Sequence, residues 1–378
     1  MSSRVEAVAE AATTPTARLI AFYLPQFHPI PENDAWWGQG FTEWTNVARA
    51  RPLFPGHHQP QVPTDLGFYD LRLPEARMAQ AELARQSGLE GFCYWHYWFE
   101  GRRLLERPFA EVLASGQPDF PFCLAWANES WSRRWLGEEK QILLAQGYSA
   151  DDDARHAQWL LAAFADPRHL RVDGRPLFLI YRPQALPEPR RTCDVLRDAT
   201  AHAGLPEPYL VGIDAHCPGL DCRTLGFDAT LQFEPQLGAL PGHLDDGPSL
   251  ARLRHNWSLG IRSASLKAYD YEAARQAMRA APRDFPVIPS LCIGWDNTPR
   301  RGKNAIVIIN ATPERVEAAL TDLISTVSSR PRDERLVFLN AWNEWAEGNH
   351  LEPDLSHGRG HLEAIERALR QAAPAPTP

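Results

Sequence analysis

Basic charge is in deficit. Against 47 Asp and Glu, the 378 residues carry 39 Lys and Arg, a formal net charge of −8, and no basic stripe interrupts the chain. A nucleic-acid-binding protein shows a basic excess or stripe, so that class of partner is excluded. Long apolar runs are missing too: no window reaches the roughly 18 consecutive apolar residues of a membrane span. The first seventeen residues, MSSRVEAVAEAATTPTA, hold acidic residues and no apolar core segment, so they do not read as a secretory signal. These absences predict a cytoplasmic protein with no membrane span. Cysteine is sparse and scattered. Cys93, Cys123 and Cys292 lie in the apolar runs GFCYW, PFCLAW and SLCIGW, which suits reduced, buried thiols. Cys217 and Cys222, with His216, lack the second ligand pair of a zinc clip and read as a plain loop. No metal and no cofactor is expected. A Gly-rich phosphate fingerprint is also lacking after the first apolar run, where YLPQFHPIP stands, which lowers a dinucleotide-binding reading.

What is there is apolar and aromatic. An apolar content of 44% with 23% charge excludes a disordered chain, and thirteen Trp need a destination: core, interface, or a wall for stacking. Eight short β-rich runs recur along the chain: Leu19–Tyr23, Gly91–Tyr94, Phe122–Ala125, Leu177–Tyr181, Leu210–Ile213, Ala229–Phe233, Val287–Leu291 and Val337–Asn340. Between them lie stretches with helical spacing, among them Pro74–Ser87, Asp151–Ala165, Cys193–Ala203, Tyr271–Ala281 and Pro313–Ser329. Strands apolar on both faces and separated by helices imply a covered parallel sheet. Eight of them predict an α/β fold of the (β/α)8 TIM barrel class, with a doubly wound open sheet as the alternative. A single barrel domain is expected over residues 18–370, between a disordered tail at 1–17 and a flexible, Pro/Ala-rich tail at 371–378. The segment Pro25–Leu73 is too long for a simple turn and should fold over the barrel mouth.

A barrel carries its active site on the loops that follow the strands, so each run is informative just past its end. There stand His28; His96 and Trp98; Asn128, Glu129 and Trp131; Glu234; Trp295 and Asp296; and Asn343, Glu344 and Glu347. The long first loop adds Trp37, Glu43 and Trp44. Each alone reads as an ordinary loop polar or a buried satisfied residue; together they place carboxylates, amides and indoles at one end of the barrel. An indole covers the apolar face of a sugar ring while carboxylates and amides bind its hydroxyls. An oligosaccharide or polysaccharide substrate is therefore expected. Eleven of the thirteen Trp, all but Trp159 and Trp257, fall in these loops or their flanks. The sharpest motif is Asn343-Glu344-Trp345-Ala346-Glu347-Gly348. On a helical turn the two Glu face the same way, and neighbouring carboxylates separate their pKa values into an acid and a base, as glycoside cleavage requires. An acidic helix N-terminus is the plainer reading.

Longer segments carry a family resemblance: AFYLPQFHPIPENDAWWGQGFTEWTNV, LFPGHHQPQVPTDLGFYDLR, GFCYWHYWF, AWANESWSRRW and AWNEWAEGNHLEP. From about Arg18 to Glu366 the chain resembles WbsX-type proteins, also called glycoside hydrolase family 99-like. The resemblance implies a (β/α)8 barrel acting on carbohydrate, by analogy with endo-acting, retaining α-mannan hydrolases that use no metal. It implies that Glu344 is the base that deprotonates a sugar 2-hydroxyl, and that Glu347 is the acid that protonates the leaving oxygen and then activates water. It also implies a role in O-antigen or other surface-polysaccharide biosynthesis. Ala346 stands where the endomannosidases carry His. Two other functions remain open. A glycosyltransferase would need a diphosphate site; Asp151–Asp153 reads as a helix cap, and Arg133-Arg134, or Arg300-Arg301 with Lys303, are the basic candidates. A non-catalytic glycan-binding protein would bind without turnover.

Overall fold

Strands whose alternate residues are apolar on both faces must be covered on both. In the computed structural model, which describes residues 16–133, 138–243, 248–281 and 283–372, all eight runs form strands. They are β1 (Arg18–Tyr23), β2 (Gly91–Phe99), β3 (Phe122–Trp126), β4 (Arg175–Ile180), β5 (Tyr209–Asp214), β6 (Ala229–Gln232), β7 (Ile288–Cys292) and β8 (Leu336–Asn340). Each pairs in parallel with two neighbours. β1 closes the ring, with Arg18–Ala21 in register with Leu336–Leu339 on one side and Ile20–Tyr23 with Gly91–Tyr94 on the other. The sheet is a closed eight-stranded barrel, and the open doubly wound alternative falls.

The two-residue period of each strand divides the core in two. Ile20, Phe22, Cys93, Cys123, Leu179, Ile213, Leu231 and Phe338 point to the axis and pack on one another. Leu19, Ala21, Tyr23, Phe92, Tyr94 and Leu124 point outward and meet the helices. Those helices include Pro74–Gln86, Ala150–Ala165, Pro189–His202, Tyr271–Arg279, Pro313–Val327 and Gly360–Ala372. Three of them open on Pro, whose missing N–H costs nothing at a first turn. Ser149 caps Ala150–Ala165, its hydroxyl accepting the Asp152 N–H at 3.1 Å, so Asp151–Asp153 is that helix's first turn. Cys222 is buried and Cys217 exposed, and all six cysteines are free thiols.

The first loop is ordered by contacts to the other end of the chain. It contains two short helices, Pro31–Trp37 and Glu43–Arg49. The Thr64 N–H donates to the Pro353 carbonyl at 3.0 Å and the Leu355 N–H to that of Val62 at 2.9 Å. Apart from residues 16–17 and 371–372, the two expected tails lie outside the described residues; the last helix runs to Ala372. Among the described residues no helix is long and apolar enough to cross a membrane. The barrel interior generates a first prediction. Phe338 is wholly buried against Phe22, with ring centroids 5.3 Å apart, so Phe338→Ala should destabilise the fold by about 3–5 kcal/mol, read from the denaturant midpoint.

Candidate active site

The chain that leaves β8 doubles back at once. Asn343–Glu344 pairs antiparallel with Asn349–His350, and the link between them is one 3₁₀ turn, Trp345–Glu347, followed by Gly348 at φ +57°. Glycine is required there twice over: the backbone is left-handed, and a Cβ would lie 2.9 Å from the Asp296 Cβ. A 3₁₀ turn has three residues per revolution, so positions 344 and 347 share a side. No α-helix begins here, only a single 3₁₀ turn, so a helix-dipole account of the two acids loses its basis. Trp345, between them, is wholly buried. Its indole N–H donates to Glu352 Oε2 at 2.6 Å and its face stacks on His350, with centroids 3.8 Å apart. Glu352 also accepts from the Tyr69 hydroxyl at 2.8 Å and Gln80 Nε2 at 2.7 Å. Burial pushes its carboxyl up to about 7.

Both acids converge on Arg300, in the short helix Thr298–Arg301 that follows β7. Nη1 donates to Glu347 Oε1, Nη2 to Glu344 Oε2 at 3.4 Å, and Nε to Glu43 Oε1 at 2.8 Å. Arg300 is nearly buried, with 9% of its side chain exposed; that of Glu43 is 0% exposed, Glu344 11% and Glu347 21%. Burial works against the Arg300 charge, but the carboxylates of Glu43, Glu347 and Glu344 outweigh it and hold the guanidinium firmly protonated. For Glu344, burial and the neighbouring Glu347 push the carboxyl up to about 8. Burial raises Glu347 as well, against the pull of Arg300. Both carboxyls of the pair are thus shifted upward, toward retaining a proton, and their titrations are linked.

The pleat of β2 decides which of its aromatic residues reach this site. Cys93 faces the axis, so Trp95 and Tyr97 do too, while Tyr94, His96 and Trp98 face out. His96 is buried against helix Ala150–Ala165: its Nε2 lies 2.9 Å from His156 Nε2, its ring stacks on Trp159, and burial holds it down to about 3. The Trp98 indole donates to Asp152 at 3.0 Å. Expected as substrate ligands, these two point to the helices and away from the barrel axis, and Trp95 and Tyr97 occupy the inward positions instead. Trp95 stacks on Phe22 at 4.8 Å and meets Tyr181 edge-on at 5.2 Å. Tyr97 meets Trp131 at 5.2 Å. Its hydroxyl is driven up by burial and then by the charge of Glu344, with smaller effects from Arg300, Glu129 and Glu43. Counting by twos from Cys93 would have found both.

The remaining candidates divide between partly exposed side chains and buried framework. Trp131 and Trp36 meet edge-on at 5.6 Å, and Glu129, partly exposed, lies 3.4 Å from Arg182. Trp37 is half-buried against Phe41. The Trp44 indole donates to the Tyr69 carbonyl at 2.8 Å, and its ring packs on Trp345. Asn128 and Asn343 are wholly buried and bond backbone. Asn343 takes the Leu24 N–H at 2.7 Å and donates to the Leu24 carbonyl at 3.0 Å; Asn128 does the same to Arg182, at 2.7 and 2.9 Å. Each amide extends the ladder by one rung where two strands part. Asp296 accepts from His57 Nε2 and Gln59 Nε2, both at 2.6 Å, and so fastens the first loop to the β7 loop. Glu234 pairs with Arg279 at 3.1 Å on the helix side. Trp295 is buried in a small sheet with Ile308, and His28 is buried, its imidazole held down to about 4 by burial. Arg134 lies outside the described residues. Among the described residues no cluster of His, Cys, Asp and Glu is arranged to hold a metal ion. An open groove beside helix Pro189–His202, lined by Arg190, Arg191, Asp194 and Asp198, contains none of these residues.

The family model described as glycosyltransferase WbsX matches residues 19–365. The chain belongs to the WbsX family. Proteins of two strains of Xanthomonas campestris pv. campestris, both described as uncharacterized protein WxcX, are 44% identical to it over 361 residues. Those residues are 94% of this chain and 50% of each relative, so this WbsX chain spans about half the length of the curated relatives it matches. A family 99 endo-α-mannosidase from Bacteroides thetaiotaomicron shares the fold, with a TM-score of 0.52 and 16% identity over 94% of this chain and 98% of that one. A glycoside hydrolase-like protein does so with a TM-score of 0.57 and 14% identity, covering 94% and 95%. The strand-end amides yield a prediction of their own. Asn343→Ala leaves the Leu24 N–H and carbonyl without their buried partner and should cost about 1–3 kcal/mol, measured by chemical denaturation.

Proposed function

We propose that this WbsX chain is a carbohydrate-active enzyme that cleaves or transfers glycosidic bonds of surface-polysaccharide or O-antigen glycans, as a retaining, endo-acting glycoside hydrolase or transglycosylase. One observation carries the reading: a single buried guanidinium bridges two carboxylates that a 3₁₀ turn presents side by side at the barrel mouth. Glu344 takes the proton of the sugar 2-hydroxyl, and O2 attacks the anomeric carbon as the bond to the leaving oxygen breaks. Glu347 gives that oxygen its proton, leaving a 1,2-anhydro sugar. Glu347 then removes a proton from water, or from an acceptor hydroxyl, whose oxygen attacks the anomeric carbon. The bond from that carbon to O2 breaks and O2 recovers its proton from Glu344. Atoms and charge balance, and no enzyme nucleophile is needed.

The scheme needs the pair's proton on Glu347, while in the free chain Arg300 binds Glu347 and favours its anion. Substrate supplies the difference. A 2-hydroxyl donating to Glu344 stabilises that carboxylate as an anion, and a glycosidic oxygen accepting from Glu347 stabilises the protonated acid. Trp95, Tyr97 and Trp131 provide ring faces and edges for the sugars on the same side of the barrel.

The family description favours a second reading, a glycosyltransferase fed by a nucleotide-sugar. The diphosphate would require cations, and Arg300 is engaged by three carboxylates and Arg182 by Glu129. Consumption of a UDP- or GDP-sugar would establish that reading over the first. With a panel of defined glycans, Glu347→Gln should lower kcat by a factor of about 10²–10⁴ while leaving oligosaccharide affinity intact; unchanged turnover would sink the role assigned to Glu347. Loss of the pair's proton abolishes the acid, and burial raises both carboxyls, so kcat/KM should fall as pH rises from neutrality into the alkaline range; a rate that keeps rising there would contradict the shared proton.

A further inference from the structure

Glu43 has no path to a substrate. Its side chain is wholly buried in the first loop. One oxygen accepts from Arg300 Nε at 2.8 Å and from Asn46 Nδ2 at 3.4 Å, and the other accepts from Gln26 Nε2 at 3.2 Å. These contacts use Nε of the guanidinium and leave its two terminal nitrogens for Glu347 and Glu344. Three carboxylates thus surround one cation in a buried space. With all three ionised the cluster would carry two uncompensated charges, which low-dielectric surroundings penalise heavily. One added proton relieves most of that penalty. Both oxygens of Glu43 already accept N–H groups, three in all, whereas Glu344 and Glu347 are the partly exposed members of the cluster.

We propose that Glu43 is a positioning residue that orients Arg300 and, by sharing its charge, obliges the Glu344/Glu347 pair to keep one proton at neutral pH. The inference deepens the acid–base reading above and gives the first loop a chemical task. Without Glu43 the whole charge of Arg300 would fall on the pair, both carboxylates would ionise, and the general acid would be gone. The other groups facing the pair do not replace it. Tyr97 on β2 stays neutral, Glu129 after β3 is met by Arg182 after β4, and the Cys292 thiol on β7 is buried and raised. Glu43 also adds to the upward push on both members of the pair, and Arg300 opposes it in both.

Infrared spectroscopy of the full chain tests this without a substrate, through the carbonyl stretch of a protonated carboxyl group. The component lost in Glu344→Gln or Glu347→Gln belongs to the pair; that of Glu352 survives both. In the wild type this component should be present at pH 7, and in Glu43→Gln its titration midpoint should fall by about one pH unit or more. Glu43→Asp, which keeps the charge, should restore most of the shift. Arg300→Gln should move the midpoint the other way, upward. Absence of the component from the wild type at pH 7, a midpoint unmoved in Glu43→Gln, or a downward shift in Arg300→Gln overturns the proposal, and the direction of the Arg300→Gln shift decides should Glu43→Gln fail to fold. Failure to turn over any glycan would instead remove the enzymatic reading and leave the infrared result standing.

Discussion

The charge of Arg300, buried and divided among three carboxylates, is the constraint on which the mouth of this barrel depends. A lone buried cation costs several kcal/mol, and removing one member of such a cluster strands the others. The three partners come from distant parts of the chain: Glu43 from the first loop, Glu344 and Glu347 from the turn after β8. Satisfying the guanidinium therefore brings together two loops that the barrel itself leaves independent. The His57–Asp296 and Gln59–Asp296 contacts lie in the same seam and act in the same sense. A chain of this kind uses its electrostatics twice, to close the seam and to set the protonation of the carboxylates within it.

Around that cluster the structure is held by polar side chains bonded to backbone or to one another. Asn343 and Asn128 finish the ladders between β8 and β1 and between β3 and β4. Glu352 receives Trp345, Tyr69 and Gln80, and Gln80 accepts in turn from Tyr23. Trp345 is thereby pulled inward between the two acids, and the same turn that buries the indole projects Glu344 and Glu347 the other way. The residues beside the acids are buried framework, and the turn they anchor carries the two acids that meet Arg300.

The aromatic excess resolves along the same line. Trp98, Trp126, Trp342 and Trp345 are buried on the helix side of the strands. Trp95 and Trp131 belong to the cleft side, with Trp36 and Trp37 half-buried in the first loop. Position after a strand is thus a poor guide to role. Consecutive strand residues face opposite ways, so adjacent members of YWHYWF are divided between core and cleft.

The alternation of apolar runs and helical stretches made the closed barrel legible in the primary structure, because a strand buried on both faces writes an unbroken apolar run. The Glu344/Glu347 spacing was legible for a similar reason: three residues apart on any tight turn, they share a side. The GHHQP segment reads only as part of a long loop, Glu43 as a sugar-binding candidate of that loop, and Arg300 as one of several loop cations that could meet a diphosphate. Their roles depend on contacts across 239 residues for His57 and Asp296 and 257 for Glu43 and Arg300. Local pattern records the period of a strand and the spacing of a turn, since both are set by neighbouring residues. Which charges become partners, and which face of β2 meets them, is decided only when barrel closure removes the water that would otherwise have solvated each one separately.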